Sequence, residues 1–228
     1  VTNTPGANAL SVAEHTIAIL LSLARKIPLL DREVRLGNWP RVEMVQLSGK
    51  LLGLLGFGAI GRYVARMAKG LGMDVIAWTF HPSPEREKES GVRFVSKEEL
   101  LRSSDAVSLH LRLTDETRGF FKKGDFDLMK PTAFFVNTAR AGLIEPEALY
   151  EALRSKKIAG AALDAYDQEP LPPKHPLTTL PNVVFTPHNA GMTPEAVING
   201  LIMAVENVKA FLAGKEINPA YVVVRGNR

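Results

Sequence analysis

The sequence predicts an α/β fold, a doubly wound parallel sheet with helices on both faces, on three observations. Short apolar runs recur between residues 51 and 185 with helical patterns between them. Those runs are apolar at nearly every position instead of alternating. A glycine triplet, Gly56, Gly58 and Gly61, joins the first run to the first of the intervening helices. Strands buried on both faces read as continuous apolar runs, and strands separated by helices pair through parallel crossovers. At 228 residues with 46% hydrophobic side chains, one main domain around a large core is expected.

The chain opens at Val1, and residues 1–5 read as the tail of an element already under way. Ser11 and Glu14 have the spacing of a capping box, and Val12, Ile17, Leu20, Leu21, Leu23 and Ala24 continue at helical spacing to Lys26. This helix is apolar nearly all round, so it is expected to be buried, in part against a second subunit. Pro28 is expected to interrupt it, with a shorter helix resuming from Leu29 to Leu36 until Gly37 stops it. Strands are then predicted at 51–55, 74–78, 106–109, 133–136, 158–163 and 183–185, with helices at 59–71, 97–101 and 145–153. Pro172, Pro173 and Pro176 mark a stiff loop before the last strand. A final helix runs from Pro194 to Leu212, with proline at its start and Gly214 after its end.

Several function classes are disfavoured by composition. Without cysteine there is neither a disulfide nor a thiolate metal site, redox chemistry must come from a cofactor, and a cytoplasmic setting is expected. The longest apolar run, Ile17 to Ala24, lies between Glu14 and Arg25 and is shorter than the roughly twenty residues of a membrane span. The net charge of +4 is spread out, and Glu85, Glu87 and Glu89 interleave with Arg86 and Lys88, so no stripe suited to nucleic acid emerges. No histidine and carboxylate cluster has metal-ligand spacing, and no metal is expected.

Gly56, Gly58 and Gly61 form G-x-G-x-x-G after a strand and at the mouth of a helix, with Phe57, Ala59 and Ile60 between them. In that context the first glycine permits the tight turn, the second lets backbone amides approach a pyrophosphate, and the third lets helix and sheet pack closely. The pyrophosphate would sit on the helix terminus, where free amides favour negative charge. This is the signature of a Rossmann dinucleotide site. An acidic residue for the adenosine ribose is expected at the end of the second strand, but Thr79 stands there. The cofactor reading is therefore NAD or NADP, with His81, Arg86 or Arg112 available to approach a phosphate on that ribose.

Three residues suit hydride chemistry on a small hydroxy or keto acid. Arg140, after the fourth predicted strand, has a planar fork that can hold a carboxylate. His188, after the last strand, can move the hydroxyl proton, and Glu169 can orient its imidazole. Asp164 ends a strand and could accept from a nicotinamide carboxamide or cap a turn. His110, Thr138, Ala139, Ala190 and Gly191 are placed around the same crevice, whereas His15 is expected to be a packing or interface residue.

These segments resemble the D-isomer-specific 2-hydroxyacid dehydrogenases, a family that includes phosphoglycerate, glycerate and hydroxypyruvate-reducing enzymes. The resemblance runs from Val1 to about Pro219. It takes in Asn3-Thr4-Pro5-Gly6 with Ser11-Val12-Ala13-Glu14, the glycine loop, Asn137 to Arg140, Glu169-Pro170, and Pro187-His188 with Gly191. It implies Arg140 as the substrate-carboxylate grip, His188 as acid/base and Glu169 as its partner. Residues 1–40 would be an interdomain segment and long dimer helix, 41–191 the dinucleotide-binding domain, and 192–228 a helix returning toward a substrate domain most of which is absent. A homodimer is implied, with Trp39 near the shared surface. Ala141, Thr79 and Arg112 depart from the family pattern, which commonly has glycine, an acid and proline there. The expected activity is hydride transfer between nicotinamide and C2 of a D-2-hydroxy acid of the phosphoglycerate, glycerate or glyoxylate/hydroxypyruvate class. The fragment alone is expected to be poorly active, and the alternative is an inactive, dinucleotide-responsive regulatory protein of the same fold.

Overall fold

Seven strands make up one all-parallel sheet in a computed structural model that describes residues 1–223. They are β1 (Leu51–Leu55), β2 (Asp74–Trp78), β3 (Arg93–Phe94), β4 (Ala106–Leu109), β5 (Phe134–Asn137), β6 (Gly160–Leu163) and β7 (Val183–Phe185). Their spatial order is β3-β2-β1-β4-β5-β6-β7, every neighbouring pair parallel. The order reverses between β1 and β4, so the loops leaving their carboxyl ends diverge and open a crevice.

Each face of the sheet carries its own core. On one, Leu52 and Leu54 of β1 and Val136 of β5 pack with Leu20 and Val64, from α1 (Ala9–Ala24) and α3 (Ala59–Gly70). On the other, Leu55, Leu109 and Phe135 pack with Leu100 of α5 (Lys97–Ser103), Phe126 of α6 (Lys123–Leu128) and Leu153 of α7 (Pro146–Arg154). Gly53 is what lets α5 lie so close. A Cβ there would come within 2.5 Å of Leu100 Cδ2 and 2.4 Å of Ser104 Oγ.

The start of α1 differs from expectation. Asn8 precedes the helix without a side-chain cap, Ser11 lies inside it, and Glu14 faces solvent, so no capping box forms. Ser11 is buried with its Oγ 2.8 Å from Thr193 Oγ1, a distant partner that local spacing does not reveal. The predicted interruption at Pro28 also moves. The break is at Lys26, in the left-handed region at φ 52°, and Pro28 sits in the first turn of α2 (Ile27–Arg35), where its missing N–H is not needed. Most of α1 is buried, leaving Leu10, Glu14 and Ala18 as an exposed stripe.

Three elements were not anticipated. α4 (Pro84–Ser90) buries no residue, so it has no apolar period; Ser83 caps it by accepting from the Arg86 amide. β3 is two residues long, and α6 buries Phe126 alone. The last helix, α8 (Pro194–Leu212), is capped by Thr193 and buries Ala196 and Asn207, while Val197, Leu201, Val205 and Val208 remain exposed. The end of the predicted 192–228 segment, residues 224–228, lies outside the described residues.

Candidate active site

The glycine loop occupies the crevice between β1 and β4, and its glycines are required for different reasons. Gly56 has φ 104°, and a Cβ on it would meet the His110 carbonyl oxygen at 2.6 Å. A Cβ on Gly61 would lie 2.5 Å from the Gly56 oxygen, so packing excludes one at both positions. Gly58 is exposed and a Cβ there would meet nothing within 4 Å. No protein contact calls for glycine at that position, but a ligand lying against the backbone would. The cradle therefore fits a dinucleotide pyrophosphate.

Around the cradle, Phe57 is buried with its ring edge-on to Phe94. Its carbonyl oxygen accepts from Arg86 Nη2 at 2.7 Å, and Arg86 Nη1 donates to the His81 carbonyl. Thr79 is part-buried at the exit of β2. Ile60, His110, Arg112, Thr138, Ala139 and Arg140 line a cavity of about 430 Å³ beside the loop. His110 has Nε2 2.9 Å from Ser108 Oγ, and burial pulls its imidazole down to about 4, so it is neutral at physiological pH.

Arg140 also lines an adjoining cavity of about 650 Å³, and there it meets Glu169 and His188. His188 Nδ1 lies 2.7 Å from Glu169 Oε2. The other Glu169 oxygen accepts from the Tyr166 amide at 2.9 Å. Desolvation pushes the Glu169 carboxyl up. The Tyr166 and His188 hydrogen bonds and the charges of His188 and Arg140 outweigh it and hold the group below its ordinary value. Arg140 Nη1 donates to the Ala139 carbonyl, and the remaining guanidinium N–H groups are available to the cavity. Ala141 opens a 3-10 turn, Ala141–Leu143, without positive φ, so the position does not require glycine.

The loop carrying His188 is held from beneath. His188 adopts φ 54°, an uncommon conformation for a non-glycine residue and one that needs its surroundings to fix it. Fully buried Asp164 does much of this. Its carboxylate accepts from the Asn189 amide at 3.1 Å, the Ala190 amide at 2.9 Å and the Thr186 hydroxyl at 2.6 Å. Of the two roles read for Asp164 in the sequence, the geometry displays the turn anchor. Gly191 packs against Asn8, where a Cβ would meet Nδ2 at 2.5 Å.

Two further residues support this arrangement, and Tyr166 is the one that escaped sequence reasoning. The Tyr166 hydroxyl lies 2.8 Å from both the Leu163 and Thr186 carbonyls, bridging the ends of β6 and β7; desolvation raises it to about 12. Its position three residues before Glu169 was the available signal. His15, expected to pack or meet a partner, places Nε2 2.9 Å from Thr186 Oγ1 and 3.6 Å from Asp164 Oδ1. Thr79 lines neither cavity. Among the described residues no three His, Asp or Glu side chains gather as a metal site, and no helix is long and apolar enough to cross a membrane.

Known proteins resemble this chain in sequence and in fold. Residues 17–190 match the family described as D-isomer specific 2-hydroxyacid dehydrogenase, NAD binding domain. The chain is 46% identical over 211 residues to a D-3-phosphoglycerate dehydrogenase of Archaeoglobus fulgidus, covering 91% of this chain and 40% of that protein. It is 45% identical over 224 residues to a glyoxylate reductase of Aeropyrum pernix, covering 94% and 67%. The crystal structure of the TT0316 protein from Thermus thermophilus superposes with a TM-score of 0.88 at 41% identity, covering 98% of this chain and 71% of that one. The chain thus spans between two fifths and about seven tenths of the length of these relatives. With its strand order, its glycine cradle and this match over most of its length, the chain belongs to the D-isomer-specific 2-hydroxyacid dehydrogenase family.

Proposed function

We propose that the crevice takes NAD or NADP and that the reaction is reversible hydride transfer at C2 of a small D-2-hydroxy or 2-keto acid. The substrate class is phosphoglycerate, glycerate or glyoxylate/hydroxypyruvate. The observation that carries this reading is the gathering of Arg140, Glu169 and His188 in one cavity that meets the cofactor crevice at Arg140.

Arg140 grips the substrate carboxylate through its free N–H groups, fixing C2 beside the crevice. Glu169 occupies Nδ1 of His188, which leaves Nε2 as the nitrogen that exchanges a proton with substrate. In the oxidising direction the C2 hydrogen leaves with its electron pair, and the hydroxyl proton passes to His188 Nε2. Glu169 stabilises the imidazolium that results. A nicotinamide dinucleotide held by the Gly56 to Gly61 cradle would supply the acceptor for that hydride, and its donor in the reverse direction. Gly56 to Gly61, with Thr138, Ala139, Ala190 and Gly191 around them, form the wall against which the dinucleotide lies.

The same reading extends to assembly. Exposed Leu10, Ile27, Leu36 and Trp39 in residues 1–40 support a homodimer through this segment. The apolar face of α8 supports a return of the C-terminal segment toward a substrate-binding domain. A cytoplasmic setting accords with the absence of cysteine.

In the full-length enzyme, His188→Asn is expected to lower kcat by about 10²- to 10⁴-fold while the dinucleotide dissociation constant stays within about twofold. Unchanged turnover would remove the assigned role. Tight dinucleotide binding by the wild-type protein without turnover of any 2-hydroxy or 2-keto acid would point instead to a regulatory protein.

A further inference from the structure

We propose that this chain reads the 2′-phosphate of the dinucleotide and so prefers NADP(H) to NAD(H), with Arg86 as the residue that makes the choice. The inference rests on the dinucleotide reading above. In a sheet of this kind the adenosine ribose is held at the exit of β2, where a carboxylate accepts from its hydroxyls and repels a 2′-phosphate. No residue from Trp78 to Ser83 is acidic. Thr79 stands at the exit, and the element of discrimination against NADP is missing.

A guanidinium stands near that exit. Arg86 lies in the first turn of α4, and its side chain donates to the carbonyl oxygens of both Phe57 and His81. Phe57 belongs to the pyrophosphate loop, and His81 lies two residues beyond Thr79. The side chain thus bridges the two segments that flank an adenosine ribose. These bonds use one N–H on each terminal nitrogen, leaving the other N–H groups of the fork for a phosphate. The Phe94 ring, 5.3 Å from Cζ, helps hold the guanidinium in place. A cation already fixed by its own protein loses little side-chain entropy on binding, which favours affinity.

The neighbourhood is electropositive as well. Arg62, Arg66, Lys69 and Arg86 line a cleft of about 520 Å³ beside Phe57 and Ala59, with Glu89 as the one acidic side chain in its wall. Lys69 is committed to the Ser90 and Gly91 carbonyls, and Arg66 lies over the Tyr63 ring. Glu87, on the same helix as Arg86, is occupied by the Phe94 amide, and Glu85 is exposed. The excess positive charge attracts a further phosphate.

The competing role for Arg86 is purely structural, a tie between α4 and the loop, and binding measurements separate the two. Dissociation constants for NADPH, NADH, 2′,5′-ADP and 5′-AMP would be measured by titration on the wild-type chain and on Arg86→Gln. The wild type should bind NADPH and 2′,5′-ADP at least about tenfold tighter than their unphosphorylated counterparts. Arg86→Gln should erase that margin while changing NADH and 5′-AMP by less than about twofold. Arg86→Lys, which keeps the charge but not the fork, should retain part of the preference. Thr79→Asp should reverse it without touching the Arg86 contacts. Equal weakening of both dinucleotides in Arg86→Gln, or a wild type that binds NADH as well as NADPH, would overturn the proposal and leave the hydride-transfer reading standing. A wild type that binds neither dinucleotide would overturn both.

Discussion

The hydroxyls of Thr16 and Thr138 lie 2.9 Å apart in the buried seam between α1 and the exit of β5. Thr16 donates its own proton to the Val12 carbonyl, so Thr138 is the donor between the two. Nearby on the same helix, His15 reaches Thr186 and Ser11 reaches Thr193. One helix therefore backs the segment carrying Arg140, the segment carrying His188 and the start of α8.

Thr16→Val keeps the shape of that seam and removes its acceptor, leaving the buried Thr138 hydroxyl without this partner. Stability is expected to fall by roughly 1–3 kcal/mol. Urea unfolding should show a lower midpoint at unchanged slope. An unchanged midpoint would mean that Thr138 has found another acceptor and the seam is not needed.

The glycine loop offers a contrast between ligand and packing. Gly58→Ala adds a methyl group to open space, so its unfolding free energy should fall by no more than about 1 kcal/mol, the size of a helix-start preference. Its dinucleotide affinity should nevertheless drop. Gly61→Ala places a methyl against the Gly56 oxygen, so both stability and affinity should suffer, the former by about 1–3 kcal/mol. Calorimetric titration beside thermal unfolding would show it. If Gly58→Ala binds as the wild type does, no ligand lies on that residue.

The pH dependence of stability should carry the mark of His110. Burial lowers its imidazole from the ordinary 6.5 to about 4. Between those values the unfolded chain takes up a proton that the folded chain refuses. The contribution is thus complete above 6.5, declines as pH falls through that window, and declines no further below about 4. In His110→Asn, stability should depend less steeply on pH there, by at most about 1.4 kcal/mol per pH unit. Parallel curves for the two proteins, from urea midpoints across the range, would show that His110 titrates alike folded and unfolded.

Much of this molecule was legible because its signals are local. An apolar run such as Leu51 to Leu55 declares a buried parallel strand, and a glycine at Gly56 declares a backbone that no side chain permits. Arg140, Glu169 and His188 could be nominated because each residue type, just beyond a predicted strand, suits one task. α4 was invisible because nothing in Pro84–Ser90 is buried, and the spacing of Ser11 and Glu14 misled because a threonine 182 residues away takes the hydroxyl.

By itself, then, the sequence determined the parallel sheet, the glycine cradle and the kinds of side chain available for chemistry, since each follows from interactions within a few residues. Tertiary structure alone decided which of them meet. Glu169 touches His188 across 19 residues, Asp164 holds Ala190 across 26, and His15 supports Thr186 across 171. Those contacts come from how helices and loops settle on the sheet, and neither side of such a pair carries a local mark of its partner.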